Sequence, residues 1–152
     1  MSAYQINEIS SQVSDLYRTT VQSGLVPIIT DQGIAVGSCL IKPSDGFFVI
    51  YKNNHEYHRT YSKSAAMIVA RLMNKRTDPI EISKIIFADQ RAFSARNDLE
   101  LYKHHYTVAC KRNDSVKKML MEDRFEAAND KYQSAKKIIK ESYSSLFLLA
   151  DK

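Results

Sequence analysis

The chain has 152 residues, 44% of them hydrophobic and 26% charged, with only four glycines and three prolines. Those values exclude a disordered chain and an all-β fold dense in turns, and they leave room for one domain with its own core. The net charge of +5 favours contact with nucleic acid or an acidic protein surface, but residues 1–78 carry eight Lys/Arg against six Asp/Glu and residues 79–152 fourteen against eleven, so neither half is a basic arm or an acidic tail.

Residues 4–22 read as an amphipathic helix, with Ile6, Ile9, Val13, Leu16, Tyr17 and Thr20 on one face and Gly24 as its stop. The β-branched run LVPIIT follows, and Pro27 within it predicts an edge strand or an extended linker. GIAVGSCLIK and GFFVIYK are strand-forming runs joined by the turn cluster Pro43-Ser44-Asp45-Gly46, which predicts a hairpin. Asn53-Asn54-His55-Glu56 reads as the next turn, and Tyr57-His58-Arg59-Thr60-Tyr61 as a third short strand. Ser62 is placed to cap the helix KSAAMIVARLMNK, whose apolar stripe is Ala65, Ile68, Val69, Leu72 and Met73.

From about 80 to 150 the apolar spacing becomes strict. Ile85, Ala88, Ala92, Ala95, Leu99, Tyr102, Tyr106 and Ala109 alternate steps of three and four, and Met121, Phe125, Ala128, Tyr132, Ala135, Ile139, Ser142, Leu146 and Leu149 do the same. The pattern predicts two long helices with one seam each, folded back at Lys111-Arg112-Asn113-Asp114-Ser115. Asp78 and Pro79 start the first, and Asp114 caps the second. Alanines towards the base allow close approach, whereas Tyr102, Tyr106, Phe125 and Tyr132 make the tip end bulkier, with Tyr106 expected to meet Phe125.

The expected fold is therefore α+β. A small β-hairpin or three-stranded sheet packs on a helix, and a long, coiled-coil-like antiparallel helical hairpin and an N-terminal amphipathic helix complete it. Residues 1–78 hold the N-terminal helix and the β-β-(β)-α unit and residues 79–152 the helical hairpin, the two forming one compact unit.

Motifs for chemistry are sparse. His55 and His58 form an HxxH pair around Glu56 with no third ligand in view, so neither a metal nor a cofactor is expected. GIAVGS matches no phosphate-binding loop, and no GxSxG or HExxH pattern exists, which argues against an enzyme. Cys39 and Cys110 lack CxxC or zinc spacing and read as reduced thiols of an intracellular protein. MSAYQINEIS has no signal-peptide character, and no apolar run approaches the roughly 20 residues that span a bilayer.

The segments GSCLIKPSDGFFVIYK, YSKSAAMIVARLMN, ADQRAFSARNDLELYKHHYTVACKRND and EDRFEAANDKYQSAKKIIKES, spread over residues 35–145, resemble an uncharacterised small-protein family of tailed phages infecting marine bacteria. The resemblance implies a viral protein in the host-cell cytoplasm or in the virion, and it carries over no functional residue. Two function classes follow as expectations. The first is a non-enzymatic phage-type protein acting through protein–protein contacts, a virion structural or assembly component or an infected-cell interaction module. Its partners are itself or other phage proteins, and Ile138, Phe147 and Leu148 are the candidate contacts, because the C-terminal arm has a second apolar face there. The alternative is a nucleic-acid binder using Arg59, Lys63, Lys75 and Arg76 around the β-α unit and Lys111, Arg112, Lys117 and Lys118 at the hairpin tip.

Overall fold

In a computed structural model, which describes residues 26–75 and 78–147, the chain is an α+β fold. Five strands, β1 (Ile28–Thr30), β2 (Gly33–Val36), β3 (Cys39–Ser44), β4 (Phe47–Lys52) and β5 (His55–Thr60), form an antiparallel meander in sequence order. Three helices follow, α1 (Lys63–Asn74), α2 (Pro79–Lys111) and α3 (Ser115–Phe147). The expected N-terminal helix at 4–22 lies outside the described residues, as do Arg76 and Leu148. Among the described residues no helix is long and apolar enough to cross a membrane.

The sheet corrects the expectation of two or three strands. The run GIAVGSCLIK is folded in two at Gly37-Ser38, because Gly37 adopts a φ of +58° that reverses the chain. LVPIIT contributes the edge strand β1, with Pro27 immediately before it. Pro43 and Ser44 belong to β3 and not to the turn; β2 pairs with β3 only as far as Ile41, so no neighbour on that side needs a donor from Pro43. The remaining turns are two residues each. Asp45-Gly46 and Asn53-Asn54 all have positive φ, the backbone that matches the twist of the flanking strands. His55 and Glu56, expected in a turn, therefore start β5, and a register shift beside Ile50/Tyr51 leaves Tyr57 bulged and exposed.

Helix α1 is more deeply placed than a single stripe implies. Seven successive residues, Ala65 to Arg71, are buried, since α1 lies between the sheet on one side and both long helices on the other. Ser62 caps it as expected, accepting the Ala65 N–H at 3.2 Å. At its far end Asn74 clamps the β2–β3 turn. Its Nδ2 donates to Val36 O at 2.7 Å and Ala70 O at 2.8 Å, and its Oδ1 accepts from Ser38 N and Ser38 Oγ, both at 2.9 Å.

Helices α2 and α3 are 33 residues each, about 50 Å long. Their buried apolar residues are Ile85, Ala88, Ala95 and Ala109 on α2 and Met121, Ala128, Ala135 and Ile139 on α3, all members of the expected seam. Asp78 accepts the Ile80 N–H and Asp114 the Lys117 N–H, each at 3.0 Å, while Asn113 takes a φ of +54° to turn the chain between the helices. One cluster of buried side chains runs from Val36, Ile41 and Ile50 of the sheet through α1 to Ile85, Ala88 and Ile139.

Because a Cβ on Gly37 would stand 2.3 Å from Asn74 Oδ1 on a positive-φ backbone, Gly37→Ala is expected to lower unfolding free energy by about 1–3 kcal/mol, read as a lower urea midpoint at unchanged slope.

Candidate binding groove and an uncovered helical flank

One buried residue on the long helices breaks the apolar pattern. Asp89, 2% exposed, directs its carboxylate at the elbow between β5 and α1, accepting the Tyr61 N–H at 2.6 Å and the Ser62 N–H at 3.0 Å. The elbow is thereby held against α2, and Tyr61 lies flat on Phe93, with ring centroids 3.8 Å apart and planes 5° from parallel. Phe47 stands behind Tyr61 at 5.1 Å, and the Arg59 guanidinium lies 6.0 Å from the Phe47 ring.

Beside this elbow is an open cavity of about 470 Å³, large enough for a small ligand. Ala92 and Ile139 form part of its apolar lining, Tyr61, Phe93, Tyr132 and Tyr143 bring aromatic rings to it, and Arg96, Lys136 and Lys140 bring positive charge. Ser62, Ser64 and Ser144 add hydroxyls. The helical spacing explains the gathering. Lys136 and Lys140 are one turn apart on α3, and Ala92, Phe93 and Arg96 share one flank of α2. The Lys136 ammonium lies 5.1 Å from the Tyr132 ring centre. A smaller cavity of about 360 Å³ nearer the tip is lined by Tyr102, Lys103, Tyr106, Met121, Glu122 and Phe125. Tyr106 and Phe125 thus share one cavity, and Phe125 is 39% exposed there. Cys110 and Glu122 beside the Tyr106 phenol push its pKa up.

Among the described residues no element packs on the opposite flank of the hairpin. Ile80, Phe87, Leu101 and the half-buried Val108 follow on α2 at multiples of seven residues and so share a side; on α3 Leu120 and Ala127 are seven apart, and Ile138, eleven further on, falls on the same side three turns later. Phe87 is 69% exposed and Ile138 44%. Charges border this stripe, the cations Lys84, Arg91, Lys117, Arg124, Lys131 and Lys137 and the acids Asp98, Asp123, Asp130 and Glu141; Lys84 pairs with Glu81 and Lys137 with Glu141.

The structure separates the candidates taken from the sequence. Ile138 lies on the flank that no described element covers. Phe147 does not: its ring packs at 4.9 Å from Tyr143 and against the central core, because the same face of α3 also meets α1. Among the candidate nucleic-acid contacts, Arg59 is paired with Glu56 on β5, and Lys63 opens α1 beside the groove serines. Lys75 lies past the other end of the 12-residue α1, about 18 Å away. Lys111, Arg112, Lys117 and Lys118 crowd the tip, some 15 residues of helix, or about 22 Å, beyond Arg96. They form two separate sets and no single patch. The groove residues Asp89, Phe93, Arg96 and Tyr143 were not legible as a site; the one local signal was Lys136 and Lys140 beside Tyr132 at helical spacing.

Around HxxH, Glu56 is exposed and its carboxyl is held below the usual range by its hydrogen bond with Arg59. His58 is half-buried on β5, and burial lowers its pKa from 6.5. Among the described residues no three His, Cys, Asp or Glu side chains gather as a metal site requires. Cys39 is buried, which pushes its thiol pKa up, and Cys110 is also a free thiol. No family model, curated protein or solved structure matches the chain.

Replacing Asp89 with Ala would leave the Tyr61 and Ser62 N–H groups without their acceptor, with an expected loss of about 2–5 kcal/mol in denaturant unfolding; Asp89→Asn, which keeps one oxygen, should lose less. Since His58 has a folded-state pKa below its unfolded value of 6.5, its contribution is present above pH 6.5 and is lost as pH falls through the lower folded value. Unfolding curves of wild type should shift to lower denaturant as pH drops from about 7 to 5, and His58→Gln should flatten that dependence.

Proposed function

We infer that this is a non-enzymatic contact protein in which the helical hairpin is a scaffold and its uncovered flank docks an acidic, apolar-faced segment of another protein. The observation that carries the reading is the stripe of Ile80, Phe87, Leu101, Leu120 and Ile138 along the side of the rod away from the sheet. Water-exposed apolar side chains aligned over most of two helices are a surface in need of a partner, and isolated ones are not. The border, with six cations against four acids, chooses among partners. A second copy of the chain would bring like charges together, whereas an acidic amphipathic helix would satisfy both the stripe and its rim. In the setting that the phage-like pattern implies, the partner is another virion or infected-cell protein, and the groove side of the hairpin stays free.

The test pairs light scattering of the chain alone with titration by two designed amphipathic helical peptides, one with Leu and Glu heptads and one with Leu and Lys. The expected outcome is a monomer that binds the acidic peptide, more weakly as salt rises, with Leu101→Glu/Ile138→Glu abolishing binding and leaving the circular dichroism unchanged. A stable dimer dissolved by the same double substitution would assign the flank to a second copy and overturn the acidic-partner reading. A monomer that binds neither peptide would overturn it as well.

A further inference from the structure

We propose that the groove between the Tyr61–Ser62 elbow, α2 and α3 binds a nucleotide unit, a flat base with its phosphate, either free or as part of a single strand. This site lies on the other side of the hairpin from the apolar flank and is independent of any protein partner there.

The argument starts from charge. The ion pairs among the described residues are Arg59–Glu56, Lys84–Glu81 and Lys137–Glu141, so Arg96, Lys136 and Lys140 enter no ion pair among the described residues. Among the described residues the groove has one carboxylate, Asp89, and both its oxygens accept backbone N–H groups of the elbow. The cavity therefore offers three cations on two facing helices and no free counter-charge of its own. Three cations around one cavity suit phosphate better than a lone carboxylate. The N-terminal turn of α1 opens on the same space with Ser62, Ser64 and no acid in that turn, which adds a partial positive charge and hydroxyl donors.

Shape gives the other half of the ligand. Four aromatic side chains line the cavity, and the stacked Tyr61–Phe93 pair is fixed from behind by Phe47. Aromatic surfaces beside a cationic rim are the combination that holds bases by stacking and phosphates by charge, with little dependence on base identity. A double helix keeps its bases covered and cannot use those rings.

The experiment is fluorescence anisotropy with a labelled single-stranded oligonucleotide of about 12 residues, the same sequence as a duplex, and a fluorescent adenosine monophosphate titrated alone, at about 50 mM salt. Single-strand binding, or capture of the monophosphate, is expected; capture of the monophosphate without strand binding assigns a free nucleotide, and strand binding assigns a strand as the ligand. Phe93→Ala should weaken binding at least about fivefold. Lys136→Ala/Lys140→Ala should flatten the slope of log affinity against log salt by about 1.4 for the single strand. Arg96→Glu, an exposed position, repeats the test where loss of the Phe93 ring disturbs the elbow. Lys52→Ala, at the end of β4 away from Phe47 and the groove, should leave affinity unchanged. The proposal is overturned if neither probe binds, if duplex binds as tightly as single strand, or if the groove variants bind like wild type.

Discussion

Asp89 joins the two halves of the molecule with one carboxylate. The sheet and the helical hairpin each satisfy their own backbone hydrogen bonds, but the elbow between β5 and α1 leaves two N–H groups facing α2. A buried donor without an acceptor is costly, and a charged acceptor is stronger than a neutral one. The side chain that supplies it projects from the flank of the α2 seam, so one interaction sets both the angle at which α1 leaves the sheet and where the sheet sits along the rod. The Tyr61–Phe93 stack and the groove beside it depend on that placement.

The second organising feature is asymmetry. Near its base the hairpin carries α1 and the sheet on one flank, where Ile82, Ile86, Tyr143, Leu146 and Phe147 meet the core. Towards the tip that flank opens into the groove and then into the smaller cavity beside Tyr106 and Phe125. No described element packs on the other flank. Two helices alone bury one seam, so a rod of this length must either present polar flanks or find partners for apolar ones. Here one flank is covered, one end of it is a cationic aromatic groove, and the opposite flank is apolar with a basic border. The three surfaces have different chemistry, which fits a scaffold that makes more than one kind of contact.

Burial of α1 links these surfaces. Its seven consecutive buried residues include Arg71, whose guanidinium pKa is lowered by desolvation. A helix with an apolar stripe on one side alone would rest on the sheet and leave the hairpin to stand separately. Ala65, Ala66 and Ala70 are small enough to let α1 approach elements on both sides, and the Asn74 clamp closes the far end of the helix on the β2–β3 turn.

The sequence alone determined the features that depend on local spacing and caps. Steps of three and four residues identified every buried apolar residue of α2 and α3, because a helical seam repeats with the helix. Ser62, Asp78 and Asp114 marked helix starts, because each satisfies a backbone donor within three residues of itself. Strand number was less legible: a single glycine with positive φ splits one apolar run into two strands, and no periodicity records that reversal. Only the tertiary structure decided what depends on contacts between distant segments. Asp89 reads locally as one more helical acid, and it is buried because residues 27 and 28 positions earlier in the chain bring their N–H groups to it. Phe147 and Ile138 are equally apolar in sequence, and one is covered while the other is bare because α1 packs on a single flank. Cations that look like one basic set are divided by the length of the rod, while Arg96, Lys136 and Lys140 converge because antiparallel helices bring residues 40 or more positions apart side by side.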